Sequence, residues 1–219
     1  WKLDDASTSS EQATDYSGKS NHGTAYSTTA TSTSVLSTST AMIGRAMSFD
    51  GVDDYIDCGL NTGLNLGVGD FTISVWVKKD TDLFQETDVI IGKGLFSSAG
   101  EWHIYQTGDA DYWSFYGDKS KRVSFNADAN IKWAYIVLGR KNDQMYVYVN
   151  GSKVELITDF VSGNLVDYTN TKILTIGARN NGASGYFQGI IDDVRIYNYA
   201  RTAEQIRNDY IIGSKHREE

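Results

Sequence analysis

SFDGVDDYIDC, Ser48 to Cys58, has its counterpart almost at the other end of the chain, in GYFQGIIDDVRIYNYA, Gly185 to Ala200. A strand alternates its side chains between two faces, so Met47 and Phe49 form one row while Ser48 and Asp50 form the other. In the second segment Ile190, Val194 and Ile196 form an apolar row into which Asp192 also falls. The two segments read as two strands of one closed sheet. A carboxylate in a core row needs a partner, because burying an unpaired charge is prohibitively costly. The remedies are an arginine, several backbone amides or a metal ion.

Outward from this pair, β patterning continues along the chain. FTISVWVKK places Phe71, Ile73, Val75 and Val77 on one side and Thr72, Ser74 and Trp76 on the other. WAYIVLGR sets Ala134, Ile136 and Leu138 against Trp133, Tyr135 and Val137. MYVYVNGSKVEL points Met145, Val147 and Val149 inward, Tyr146 and Tyr148 outward, and ends in Asn150-Gly151, which suits the positive φ values of a type I′ hairpin turn. KILTIGA, Lys172 to Ala178, is a further short strand. Thr202 followed by Gln205 makes a capping box ahead of Ile206 and Tyr210, and predicts a short C-terminal helix. The run STTATSTSVLSTST, Ser27 to Thr40, holds too little apolar surface to order itself and is read as an exposed strand and loop lying on the sandwich. Short strands at this spacing, 21 glycines and no proline point to an all-β sandwich.

With 219 residues and 40% apolar composition the chain can bury one full core. Its 28 acidic against 20 basic residues, a net charge of -8, argue against a nucleic-acid partner. No apolar run approaches the roughly 20 residues that cross a bilayer as a helix, and no membrane partner is expected. The single cysteine, Cys58, reads as a small core residue. The chain opens on Trp1 and reads as a piece of a larger, multidomain protein.

WKLDD near the start, ATDYSGKSNHGTA, AMSFDGVDDYIDC, FTISVWVKK, KWAYIV, MYVYVNG and GIIDDVRIYNYARTAEQI resemble, in that order, the laminin G-like jelly-roll domains of the concanavalin A-like lectin/glucanase superfamily. The resemblance covers nearly the whole chain and implies a jelly roll of two curved antiparallel sheets over residues 1–212, followed by a charged tail over 213–219. It also implies a non-catalytic module, extracellular or surface-associated, that binds a polysaccharide, an oligosaccharide or a surface protein.

In related jelly rolls a calcium ion ties the N-terminal segment to the last long strand, with the aspartate of a DxVRxY motif as ligand. The resemblance places Asp192 of DDVRIY in that role, with Asp15, Asn21 and Asp50 as the oxygens that could complete the set. The same aspartates also suit turn capping, as in Asp15-Tyr16-Ser17-Gly18, and both readings stand. Zinc lacks its histidine and cysteine cluster.

Flat rings with a polar edge suit a sugar, and the chain carries 5 Trp and 14 Tyr. Trp76, Tyr146 and Tyr148 either line a binding face or pack under loops and the terminal helix. GEWHIYQTGDADYWSFYGDK concentrates Trp102, Tyr105, Trp113 and Tyr116 in one predicted hairpin. ARNNGASGYF adds Arg179, Asn180, Asn181 and Tyr186, whose guanidinium and amides can meet hydroxyls, although Asn180 and Asn181 also serve as turn formers. No G-x-S-x-G nucleophile elbow occurs. The E-x-D-x-x-E pattern of the superfamily's glucanases is approached at Glu86-Thr87-Asp88, yet Ile91 stands where the second glutamate belongs. A carbohydrate-binding module stabilised by calcium is therefore the leading expectation. A protein-binding or structural adhesion module on a cell or virion surface is its alternative, and a degenerate hydrolase a distant third.

Overall fold

Phe71, Ile73, Val75 and Val77 face the core along one strand, as the alternation of FTISVWVKK requires, and Ala134, Ile136 and Leu138 and then Met145 and Val147 repeat the device on neighbouring strands. The structure, a computed structural model, describes residues 1–4, 12–27, 37–38, 41–80, 88–95, 98–106, 112–117, 121–129, 132–159, 162–163, 166–179 and 182–215. Its strands are β1 (Gln12–Ala13), β2 (Gly23–Tyr26), β3 (Ser37–Thr38), β4 (Ala46–Asp50), β5 (Tyr55–Asp57), β6 (Phe71–Lys79), β7 (Asp88–Lys93), β8 (Trp102–Gln106), β9 (Tyr112–Gly117), β10 (Lys121–Asn126), β11 (Ala134–Lys141), β12 (Gln144–Val149), β13 (Ser152–Lys153), β14 (Thr158–Asp159), β15 (Leu174–Ile176) and β16 (Gln188–Tyr197). Among the described residues a 3₁₀ turn spans Thr62–Leu64, and one helix, α1, spans Ala203–Lys215.

Among the described residues these strands form two antiparallel sheets. One runs β1-β2-β5-β15-β7-β8-β9-β10-β14, the other β13-β12-β11-β6-β16-β4-β3. The apolar rows of both sheets meet in one core that includes Phe49, Cys58, Ile136, Val147 and Ile191. This is the expected all-β jelly-roll sandwich. Asn150 and Gly151 adopt φ values of 50° and 75°, as the type I′ hairpin between β12 and β13 demands. Of the serine- and threonine-rich run, Ser37–Thr38 is an edge strand on β4, and residues 28–36 and 39–40 lie outside the described residues.

Two sequence expectations change. SFDGVDDYIDC is not one strand. β4 pairs with β16, Met47 opposite Ile191, whereas β5 belongs to the other sheet between β2 and β15. The turn at residues 51–54 therefore carries the chain from one sheet to the other. The second change is on β16, where the pairing with β6 shifts between Asp192 and Arg195 and Asp193 takes a φ of 47°. This bulge splits the predicted row. Ile190 lies in the outer cluster with Trp76, opposite which Asp192 stands, whereas Val194 joins the central core.

The capping box forms as a reciprocal pair: the Thr202 amide donates to Gln205 Oε1 (3.0 Å) and the Gln205 amide to Thr202 Oγ1 (3.2 Å). Helix α1 then lies on the outer face of the seven-stranded sheet, where Tyr210 stacks on Trp76 with ring centroids 5.6 Å apart. Gly213 approaches that indole so closely that a Cβ there would stand 2.7 Å from it. Tyr146 and Tyr148 pack beside the same cluster, so the packing reading holds for all three outward aromatics. Because the helix runs to Lys215, the division expected at residue 212 falls inside it. Residues 216–219 lie outside the described residues.

Candidate functional site

The turn between the two sheets gathers three carboxylates. Ligand atoms of Asp50, Asp53 and Asp54 lie within 4.8 Å of one another. Part of this is local turn chemistry. Asp50 Oδ1 accepts from the Val52 and Asp53 amides (2.8 and 3.2 Å), and Asp54 Oδ2 accepts from the Asp50 amide (3.0 Å). Ser27 Oγ donates to Asp53 Oδ1 at 3.3 Å. Turn capping leaves one buried atom over. Asp54 is 3% exposed and its Oδ1 is buried without a hydrogen-bond partner among the described residues. Burial, followed by the neighbouring Asp50 charge, pushes the Asp54 carboxyl up to about 6.

Rings adjoin this turn. β2 pairs with β5 so that Tyr26 stands directly opposite Tyr55, and their rings stack at 5.0 Å. The loop after β15 folds back over them: a Cβ on Gly182 would fall 2.2 Å from Tyr55, so the loop backbone rests on that ring. Within the loop the Tyr186 hydroxyl donates to Gly182 O, and Arg179 donates from Nε and Nη2 to Ser184 Oγ (3.1 and 2.8 Å). Burial and then the Asp53 charge raise the Tyr186 phenol, which places it within electrostatic reach of the acidic turn. Arg179 in turn acts on His103, whose pKa falls to about 4, chiefly through burial. Of the predicted set, Asp50 thus belongs to the acidic turn, and Arg179 and Tyr186 to the loop that rests on Tyr55. Asn180 and Asn181 lie outside the described residues.

The predicted aromatic hairpin exists as β8 and β9, but its two rows have different fates. Trp102 and Trp113 are fully buried in the central core, and Trp113 Nε1 donates to Ala127 O at 2.7 Å. Neither indole offers a face to a dissolved ligand, which corrects their place among the ligand-binding residues. Tyr105 and Tyr116 point to the other face and meet edge to face at 6.5 Å, Tyr105 nearly covered and Tyr116 half-buried.

The four predicted calcium ligands do not converge. Asp15 accepts from the Ser17 amide (2.8 Å) and from the backbone and side-chain nitrogens of Asn21 (2.9 and 3.0 Å). Burial pushes its carboxyl up, yet these bonds outweigh burial and hold it at about 2. Turn capping accounts for Asp15 and Asn21. Asp192 lies elsewhere, its Oδ2 accepting from the Met42 and Ile43 amides (3.0 and 2.9 Å). Burial first, with Asp193 and Asp4 adding, lifts Asp192 to about 7. Only Asp50 joins an acidic cluster, through Asp53 and Asp54, which are missing from the predicted set although SFDGVDDYIDC contains them. The chain's start is nevertheless tied to the last long strand, because the Trp1 nitrogen donates to Val194 O at 2.7 Å.

The concanavalin A-like lectin/glucanases superfamily model for laminin G-type domains matches residues 49–207, most of the sandwich. The chain belongs to this family. No curated protein sequence matches it. Similar folds occur in the binding domain of botulinum neurotoxin serotype G, with a TM-score of 0.66 and 17% identity over 90% of this chain and 48% of that one. The binding domain of Paraclostridial Mosquitocidal Protein 1 follows at a TM-score of 0.60 and 17% identity, over 77% of this chain and 44% of that one. Trypanosoma rangeli sialidase in complex with the inhibitor DANA gives 0.59 and 16%, over 86% and 29%. The chain spans less than half the length of each of these structures.

In this concanavalin A-like domain the donor set of the inter-sheet turn fits a hard cation. Calcium takes oxygen ligands at flexible geometry, and three carboxylates on one short turn supply them at a charge that an ion would neutralise. The buried Asp54 Oδ1 is the atom that turn geometry alone leaves unexplained. The acidic cluster can hold a metal ion, and the rings of Tyr55 and Tyr186 stand next to it.

Proposed function

We propose that the domain is a non-catalytic carbohydrate-binding module of a larger extracellular or surface-associated protein, with calcium held by Asp50, Asp53 and Asp54. The observation that carries this reading is the buried, unpartnered Asp54 Oδ1 beside stacked tyrosines. Tyr55 and Tyr186 provide apolar faces with polar edges for a sugar ring, and Arg179 a guanidinium for its hydroxyls. When bound, the ion supplies a coordination point for hydroxyl oxygens and removes the repulsion among the three carboxylates. The non-catalytic part is supported by Asp88 and Ile91. Asp88 Oδ2 is locked to Lys79 Nζ at 2.6 Å with both side chains buried, and Ile91 faces the core. Neither position can present a carboxylate to a cleft.

A glycan array probed in calcium and again in EDTA tests the reading. Calcium-dependent retention of at least one glycan, lost in Asp54→Asn and weakened in Tyr186→Ala, is the expected result. If no glycan is retained in calcium, the sugar reading fails and the protein-binding adhesion module takes its place.

A further inference from the structure

A second aromatic groove lies at the far end of β16. The N-terminal turn, the 3₁₀ turn and the last residues of β16 enclose two adjoining hollows of about 370 and 520 Å³ that share Asn21, Leu64 and Tyr197. Their combined size is within the range of small-ligand clefts. The floor is apolar, with Leu64 and Leu66 each 7% exposed. The walls are rings. Tyr16 is 56% exposed and Tyr199 45%, a large outlay of aromatic surface next to a concavity. Tyr197 and Tyr199 meet edge to face at 5.4 Å, and Lys2 Nζ stands over the Tyr16 ring at 5.2 Å, so the rings are held.

The carboxylates that line the groove are answered within the protein, whereas Lys2 and Lys19 are exposed ammonium groups at its rim. Asp15 is saturated by Ser17 and Asn21, as described above, and Asp193 Oδ2 pairs with Arg195 Nη2 at 2.7 Å. The Asn21 and Asn61 side chains bond each other, Asp15 and the Gly63 amide, so what the walls offer a ligand is rings, the exposed Asn198 amide, the Ser17 hydroxyl and the rim ammonium groups of Lys2 and Lys19. That chemistry matches a polyhydroxyl ring compound stacked on the tyrosines. We propose that this groove is a second saccharide site, open to neutral oligosaccharides and independent of any metal ion. Asp50 stands opposite Gln188 at one end of β16 and the groove runs from Asp193 to Tyr197 toward the other. At about 3.3 Å per residue the near edge of the groove is roughly 15–20 Å from the acidic turn. The module would hold two glycan segments at once, and each site can fail without the other.

The test is amide NMR of the uniformly ¹⁵N-labelled domain in EDTA, titrated with cellohexaose, laminarihexaose, xylohexaose and mannohexaose. At least one sugar should shift the amides of Ser17, Asn21, Gly63 and Asn198. The Tyr16→Ala/Tyr199→Ala variant should bind it about tenfold more weakly, with Asp54→Asn unchanged. Both tyrosines are exposed, so the double variant keeps the core. The inference is overturned if none of the four sugars moves those amides, or if the double variant binds as tightly as the parent. Shifts confined to Gly182, Ser184 and Tyr186 overturn it too and assign the sugar to the acidic-turn site. Loss of calcium-dependent glycan retention bears only on the acidic-turn site.

Discussion

Asp54→Asn should move the metal-free and the calcium-loaded protein in opposite directions. In the metal-free protein the Asp54 carboxyl is lifted from 3.8 to about 6 by burial and by Asp50. A carboxyl whose folded pKa lies above its unfolded one takes up a proton on folding. It therefore favours the native state below about pH 4, and that advantage is lost as pH rises through about 6. At neutral pH the ionised group costs the fold roughly 2–3 kcal/mol, from about 1.4 kcal/mol per pH unit. Asparagine keeps the shape without the charge. In EDTA near neutral pH the variant should melt above the parent, by on the order of 5 °C at about 2–4 °C per kcal/mol for a domain of this size.

Calcium reverses the order. An ion that binds only the folded state adds about 2.7 kcal/mol at a hundredfold excess over its Kd. The parent should gain that increment and the variant should lose most of it. The calcium increment of the parent should also shrink as pH falls through about 6, where protons compete for Asp54. Differential scanning calorimetry across this window, with and without chelator, reads all three effects. Asp192 titrates with the same sign at about 7, so an Asp192→Asn control separates its share. If Asp54→Asn lowers the midpoint in EDTA at neutral pH, Asp54 is not a strained charge. Equal calcium increments in parent and variant would remove it from the ion site.

Trp113→Ala should cost about 3–5 kcal/mol in urea unfolding, as for other large buried rings, whereas Tyr116→Ala on the opposite face of the same strand should cost far less. A similar loss for both would contradict the assignment of faces. Gly213→Ala, a change that normally favours a helix, should instead destabilise by about 1–3 kcal/mol, because the added carbon meets the Trp76 indole at 2.7 Å. Unchanged stability would mean that α1 does not sit on Trp76. Lys79→Met should cost about 3–5 kcal/mol by leaving Asp88 buried and unpaired, and Lys79→Met/Asp88→Leu should recover most of it. A double variant no better than the single one would show that the pair is not what the substitution breaks.

What was legible in the sequence was whatever depends on neighbours along the chain. The alternation of FTISVWVKK separates an all-apolar row from a mixed one, so the side facing the core is plain, and the structure keeps it. Asn150-Gly151 and Thr202-x-x-Gln205 are local for the same reason. YWSFYG separates its rows equally well, but both rows carry rings, so alternation cannot say whether Trp113 or Tyr116 faces in. The answer comes from β10, where Val123 and Phe125 stand opposite Phe115 and Trp113 and join them in the core. Asp192 fails differently. Its parity is right up to the bulge at Asp193, and one extra residue then moves Val194 to the other face, which a strict period of two cannot contain.

The acidic turn shows why the candidate site was the harder part. Asp50, Asp53 and Asp54 are adjacent in sequence, yet they look like turn formers until the turn is seen to join two different sheets. A hairpin within one sheet would leave its carboxylates at an exposed edge. A crossing between sheets carries Asp54 to 3% exposure and brings Tyr55 opposite Tyr26, 29 positions earlier. It is that change of sheet, which follows from β5 pairing with β15 rather than β16, that turns three ordinary turn aspartates into a buried charge cluster flanked by rings.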